Sequence, residues 1–165
     1  MTTTPSTPAE TIADGQPIVL PVRLDVGKLA PHIDKALAHL DNASRKTTIE
    51  PALLDLVRLR ASQLNGCAYC VDTHSTDLRD AGQDERRVSA VAVWTEMPFF
   101  TARERAALEL TEAGTRLTDG PVSDEVYGRA AAQFNEVELA ELIWTIAVIN
   151  AWNRLGAIAR PWPIG

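Results

Sequence analysis

Two cysteines are the only ones in the 165-residue chain. They stand three residues apart, at Cys67 and Cys70, with His74 four residues further on. On a helix, at about 100° per residue, all three fall in one narrow wedge of the same face. Cys67 would lie in the first turn, where free backbone N–H groups and the helix dipole favour a thiolate. Cys70 would lie one turn on, within reach of a disulfide across the C-x-x-C pair, and His74 could meet the Cys70 sulfur directly or through a water. A base beside one thiol, with a second thiol to resolve the oxidised product, is the minimum kit for peroxide reduction. The chemistry would run from thiolate to sulfenic acid and then to a Cys67–Cys70 disulfide, which an outside dithiol must reduce. The position of His74 favours Cys70 as the sulfur attacked first, with Cys67 resolving; helix-end exposure argues for the reverse order. Three other uses of the same residues stay open at this point. They are plain core cysteines, a zinc site of Cys67, Cys70 and His74 completed by Asp55 or water, and thioredoxin-like exchange. The last needs a βαβ context that the sequence does not show.

The helix presenting this face should open after the Asn65-Gly66 break, at about Cys67, and end at Gly82. Apolar periodicity predicts a first helix from Pro31 to about Ala43, with Ile33, Leu37 and Leu40 on one side. A second should start near Pro51 and carry Leu53, Leu56, Val57, Arg60 and Leu64. Another should cover Asp84 to Glu96 and stop before Pro98. Thr101 with Glu104, and Asn135 with Glu138, have capping-box spacing and should open helices reaching about Leu117 and Ala159. Between them, Asp119-Gly120-Pro121 makes a turn, and Ser123 caps a short helix holding Val126, Tyr127 and Ala130. The expected fold is all-α, one domain over residues 18–165 behind a flexible tail of residues 1–17, with Ile18 to Leu24 short and extended. The last helix is apolar on most of its circumference (Leu139, Leu142, Ile143, Trp144, Ile146, Val148, Ile149), which predicts burial against another subunit. Asn150 and Asn153 within it must satisfy their amides somewhere, a subunit boundary being one solution.

Hydrophobic residues at 45% and charged residues at 23% are ordinary globular proportions. With 16 basic and 22 acidic side chains the net charge is −6, and no basic stripe offsets it, which argues against nucleic-acid binding. No apolar run approaches the roughly 18 residues of a membrane helix, and Met1 to Asp14 lacks the basic start and apolar stretch of a secretory signal. The expected location is therefore cytoplasmic, where a structural disulfide would be unusual and a redox-active pair would not. His32 and His39 read as surface or packing histidines, and Trp94, Trp144 and Trp152 as core or interface residues. Tyr69, between the cysteines, would either line a substrate entrance or simply pack.

The run from Leu56 to His74, centred on Asn65-Gly66-Cys67-Ala68-Tyr69-Cys70, resembles the core of the alkylhydroperoxidase-D-like branch of the carboxymuconolactone decarboxylase family. The stretches Thr95-Glu96-Met97-Pro98-Phe99-Phe100-Thr101 and Ile149-Asn150-Ala151-Trp152-Asn153-Arg154-Leu155 are similar to other parts of that branch. The resemblance spans about Arg23 to Ile158. It implies an all-helical fold, homo-oligomers (trimers, or hexamers built from dimers), and hydroperoxide reduction by the cysteine pair with no bound cofactor and a dithiol or thiol protein as reductant. It also implies a proton relay of the His four residues after the second Cys and a carboxylate twelve residues before the first. Here that carboxylate is Asp55, where the branch has Glu; it carries the same charge on a side chain one methylene shorter. Glu50 is too far back to substitute. The other activities to weigh are decarboxylation of a carboxylated lactone, as in the family's namesake, and a redox-sensing oligomer without turnover. The decarboxylating branch does not rely on a C-x-x-C pair.

Overall fold

The computed structural model describes residues 20–164, so the expected tail of residues 1–17 lies outside the described residues. Every regular element among them is helical: α1 (Val26–Leu29), α2 (Pro31–Ser44), α3 (Pro51–Asn65), α4 (Ala68–Asp80), α5 (Glu85–Ala90), α6 (Ala102–Thr115), α7 (Asp124–Ala131) and α8 (Glu136–Ala159). Short 3₁₀ turns occupy Val91–Glu96 and Leu117–Asp119. Both capping boxes are present: Thr101 and Glu104 close one reciprocally at the start of α6, and Asn135 and Glu138 close the other at α8. Each satisfies backbone donors that a helix start leaves without partners. Ser123 caps α7 through the N–H of Val126.

The centre of the bundle is α3, whose two faces feed two cores. On one side Leu53, Leu54 and Val57 pack with Ala107 and Leu110 of α6 and with Leu139, Leu142 and Ile146 of α8. On the other, Leu56 and Leu59 pack with Leu78 of α4, Val88 and Ala90 of α5, and Val91 and Trp94. A helix apolar on both sides is one buried on both sides. In the single chain α8 is not such a helix. Leu142, Val148 and Ile149 are buried, but Val137, Ile143, Trp144 and Ile158 are exposed, Trp144 by 59%.

Two further features depart from the sequence expectation, and α2 keeps its expected span while burying little. The stretch expected to be one helix from Asp84 to Glu96 turns from α into 3₁₀ at Val91, with Val93 at φ −129°, ψ 32°. Arg105 explains how this segment is held: its guanidinium donates to the carbonyls of Trp94 (3.1 Å), Thr95 (2.8 Å) and Met97 (3.1 Å), which no longer serve a regular helix. α2 has its expected span, yet Ser44 is its one buried residue, and Ile33 and Leu40 of its apolar side are exposed. Lastly, α8 is 24 residues long and, by length and composition, apolar enough to cross a membrane, contrary to the expectation that no segment would be. Here it packs against α2, α3, α4 and α6, and it carries two buried asparagines.

Those asparagines find their partners inside the chain, not across a subunit boundary. Asn65, in the last turn of α3, shares its amide N–H groups among Ala61 O (3.0 Å), Asn150 Oδ1 (2.9 Å) and Asn153 Oδ1 (3.0 Å). Asn153 donates in turn to Ser62 Oγ (2.9 Å), and Asn150 to Thr115 Oγ1 (3.0 Å) and Ile146 O (2.9 Å). This clamp fixes the end of α3 on α8 immediately before Gly66. Gly66, at φ 66°, makes the left-handed turn into the cysteine segment that glycine takes without penalty. Asn153→Ala, at a fully buried position, should leave Ser62 and Asn65 underpartnered and cost about 1–3 kcal/mol in chemical denaturation. Asn65→Ala combined with it should cost less than the sum of the two single changes.

Candidate active site

Cys67 does not lie in the first turn of α4. It is the N-cap, and its Sγ accepts the Cys70 N–H at 3.4 Å. Cys67 and Cys70 are joined as a disulfide, with their Cα atoms 5.3 Å apart. The two sulfurs differ in surroundings. Cys70 opens onto a cleft of about 280 Å³ that His74, Tyr69, Ile149, Trp152 and Trp162 also line. Both residues are buried, Cys67 at 1% and Cys70 at 4% exposure, and Cys67 lies beneath Gly156 of α8. A Cβ at Gly156 would come within 2.5 Å of Cys67 Sγ and 3.6 Å of Cys70 Sγ. The approach of α8 to the disulfide therefore requires glycine, a requirement invisible in the sequence because nothing near Gly156 marks it.

The cleft wall is aromatic. The Tyr69 ring lies 4.9 Å from that of Trp162, and the Trp152 ring meets Trp162 edge-on at 5.8 Å. Tyr69 thus both packs against Trp162 and lines the cleft. Trp162 arrives from beyond the end of α8, where Arg160, at φ 40°, reverses the chain. Asp34 and Asp41 of α2 and its C-cap Arg45 line the same cleft, with Arg45 Nε donating to Asp41 Oδ2 at 3.0 Å.

Behind the cleft, α3 and α4 bring four charged or titratable groups together. His74 is 4% exposed, and its Nδ1 is buried without a hydrogen-bond partner. Two carboxylates face that nitrogen, Asp77 Oδ2 at 3.4 Å and Asp55 Oδ1 at 3.7 Å. The same Asp55 oxygen accepts a hydrogen bond from Arg58 NH1 at 3.1 Å, and Arg58 is itself buried. The short side chain of Asp55 thus reaches Arg58 first and His74 only loosely. Burial, with the nearby positive charges of Arg58 and then Arg45, holds the His74 pKa down at about 3. Burial likewise raises the Asp55 carboxyl above its usual range, against the pull of Arg58. His74 is accordingly a neutral imidazole at physiological pH, with burial and the two arginines opposing its protonation.

The structure brings Cys67, Cys70, His74 and Asp55 into one region, as the helical spacing and the resemblance predicted. It adds Asp77, Gly156, Trp162 and Arg58, which that reasoning did not single out. Asp77 could have been found three residues after His74 on the same helix face. The potential ligand atoms that gather within 4.8 Å of one another belong to Asp55, His74 and Asp77, and a guanidinium already engages the first of these.

The model of the carboxymuconolactone decarboxylase family matches residues 31–113, which hold α2, α3 and the whole cysteine segment. The chain belongs to this family. Within it, the sequence and fold are those of the alkylhydroperoxidase-D-like branch. The chain is 34% identical over 133 residues to the uncharacterized protein YdfG of Bacillus subtilis strain 168, covering 81% of this chain and 90% of that one. Its fold matches ATU0492 of Agrobacterium tumefaciens, a protein of unknown function offered as the antioxidant defence protein AhpD. That match has a TM-score of 0.84 at 32% identity and covers 88% of this chain and all of that one. The debrominase Bmp8, solved with 2,3,4-tribromopyrrole, shares the fold at a TM-score of 0.75 and 20% identity, over 84% of this chain and 74% of that one.

Two outcomes follow for this family member. Gly156→Ala should crowd the disulfide and lower stability by about 1–3 kcal/mol, the usual range for overpacking, as read by thermal denaturation of the oxidised protein. The His74 imidazole should remain neutral from about pH 8 down to about pH 5 in an NMR titration of the oxidised protein; a midpoint near the ordinary value of about 6.5 would contradict the burial argument. The sign for stability follows from the same shift. An unfolded chain takes up the His74 proton below about pH 6.5, so this group's contribution is present above that pH and is lost as pH falls towards 3.

Proposed function

We propose that the protein is a thiol-dependent peroxidase that reduces organic hydroperoxides or hydrogen peroxide through a Cys67/Cys70 dithiol–disulfide cycle. The observation that carries this reading is the asymmetry of the pair. Both cysteines are buried at disulfide distance, but only Cys70 lines the cleft, together with a neutral, buried imidazole. In the reduced protein His74 takes the Cys70 thiol proton, and the thiolate attacks one peroxide oxygen. The O–O bond breaks, the departing alkoxide or hydroxide takes the proton from His74, and Cys70 is left as sulfenic acid. The Cys67 sulfur then displaces hydroxide from Cys70, which leaves as water on protonation, and the disulfide closes. An external dithiol or thiol protein restores the pair by exchange.

The rest of the reading follows from this cycle. The cycle uses no bound cofactor, works in a reducing, cytoplasmic setting, and runs in a homo-oligomer in which the exposed apolar residues of α8 are covered. The aromatic wall of Tyr69, Trp152 and Trp162 favours peroxides with an apolar substituent. A carboxymuconolactone-type decarboxylation would leave the cysteine pair without a role, and a redox sensor would form the disulfide without turning over.

The test is peroxide-dependent consumption of a recyclable dithiol by wild type, Cys70→Ser and Cys67→Ser. Wild type should turn over repeatedly, and one equivalent of peroxide should remove two daltons from the reduced monomer. Cys70→Ser should be inactive, whereas Cys67→Ser should react once and stall at an oxidised Cys70. A single oxidation of wild type without turnover would favour the sensor, and no peroxide-driven disulfide at all would sink the peroxidase reading.

A further inference from the structure

The relay carried over by resemblance runs through Asp55, but the geometry points to a different partner for the histidine. We infer that Asp77, half-exposed at the mouth of this buried cluster, is the positioning residue that fixes the tautomer of His74 and accepts its Nδ1–H. Asp55 serves chiefly as counter-charge to Arg58. The inference rests on the peroxidase reading for its catalytic consequence, although the arrangement itself can be tested without turnover.

Three observations carry it. First, Asp77 is the nearer carboxylate to Nδ1, at 3.4 Å against 3.7 Å for Asp55. Second, the Asp55 oxygen that faces the ring is already engaged by Arg58 at 3.1 Å. Withdrawing that oxygen would leave a buried guanidinium, whose NH2 already lacks a partner, without its counter-ion. Leaving such a charge unpaired is the costlier outcome. Third, the Asp77 side chain is 40% exposed whereas that of Asp55 is 14% exposed. Asp77 can therefore turn to convert a close approach that is not yet a hydrogen bond into one, and can exchange protons with solvent. Asp77 lies three residues after His74 on α4, where a helix brings side chains together.

The groups facing His74 are Asp55 and Arg58 from α3, Arg45 from just beyond the end of α2, and Asp77 from its own helix. The two cations oppose an imidazolium, so the ring can hold a proton in passing only if an anion faces it. With Nδ1–H directed at Asp77, the lone pair of Nε2 is left for the Cys70 thiol. When Nε2 takes that proton, the Asp77 carboxylate stabilises the transient imidazolium until the departing alkoxide removes the proton. The Nδ1–H stays on the ring throughout.

Asp77→Asn is the informative change, because an asparagine can turn its amide N–H towards Nδ1 and so favour the Nε2–H tautomer, which has no lone pair for Cys70. In 15N NMR of the oxidised protein, the His74 ring should shift from the Nδ1–H towards the Nε2–H pattern. Asp77→Glu should keep the wild-type pattern. In the peroxidase assay Asp77→Asn should lower the second-order rate with peroxide by about ten- to a hundredfold, within the range of general acid–base effects. The loss should shrink at high pH, where the thiol ionises without help, and Asp77→Glu should restore most of the rate. An Asp77→Asn protein with an unchanged ring tautomer and an unchanged pH–rate profile overturns the inference, as would Asp55→Asn producing the tautomer switch while Asp77→Asn does not. Should wild type show no peroxidase activity, the ring measurement still decides the role of Asp77, and only the proposed function falls.

Discussion

The amide of Asn65 sits where α3 stops, held against α8 by the side-chain carbonyls of Asn150 and Asn153. The position of the cysteines depends on that clamp. One residue later Gly66 turns the chain, and the next residue is Cys67, so any slippage of α3 along α8 would move the sulfurs relative to Gly156 and to the aromatic wall. Apolar packing can tolerate such slippage, because neighbouring methyl groups are nearly equivalent. A buried set of amides cannot, since each donor and acceptor left unpaired costs about as much as the hydrogen bond it forfeits. Helix packing supplies the bulk of the stability, and the asparagines supply the register.

Much of this was legible in the chain. The two capping boxes are local chemistry, and they mark the starts of α6 and α8 where the structure has them. Helical geometry places Cys70 and His74 on one face, and Cys67 joins them from the N-cap position. The misread parts depended on contacts distant in sequence. Val91–Glu96 has a helical pattern, but Arg105 of α6 takes up its carbonyls and stabilises the tighter turn. Gly156 looks like a helix weakness until the disulfide beneath it is known. Trp162 reads as a terminal residue, and only the reversal at Arg160 brings it over the cysteines. For Asn150 and Asn153 the need for partners was evident, but the partners, Asn65, Ser62 and Thr115, could not be read from spacing.

The electrostatics behind the cleft show what a short carboxylate does at position 55. A glutamate would have the reach to serve the imidazole directly. Asp55, one methylene shorter, engages Arg58 one helical turn along and leaves the ring nitrogen to be met from α4. Buried positive charge next to a buried imidazole also explains why the ring stays neutral although two acidic side chains lie within 4 Å of it. Desolvation and the two arginines together outweigh carboxylates that are partly neutralised or partly in water.

α2 has a single buried residue, Ser44, in 14 residues. An element that hides so little apolar surface can detach while the two cores around α3 remain intact, because the free energy of local opening scales with what is uncovered. Amide hydrogens along Pro31–Ser44 should therefore exchange with deuterium through brief excursions of this helix alone, at rates well above those of α3 or the middle of α8. Since Asp34 and Asp41 belong to that helix and Arg45 is its C-cap, this side of the cleft is the least secured part of its walls, and each excursion of the helix would open the cysteine pair to more water.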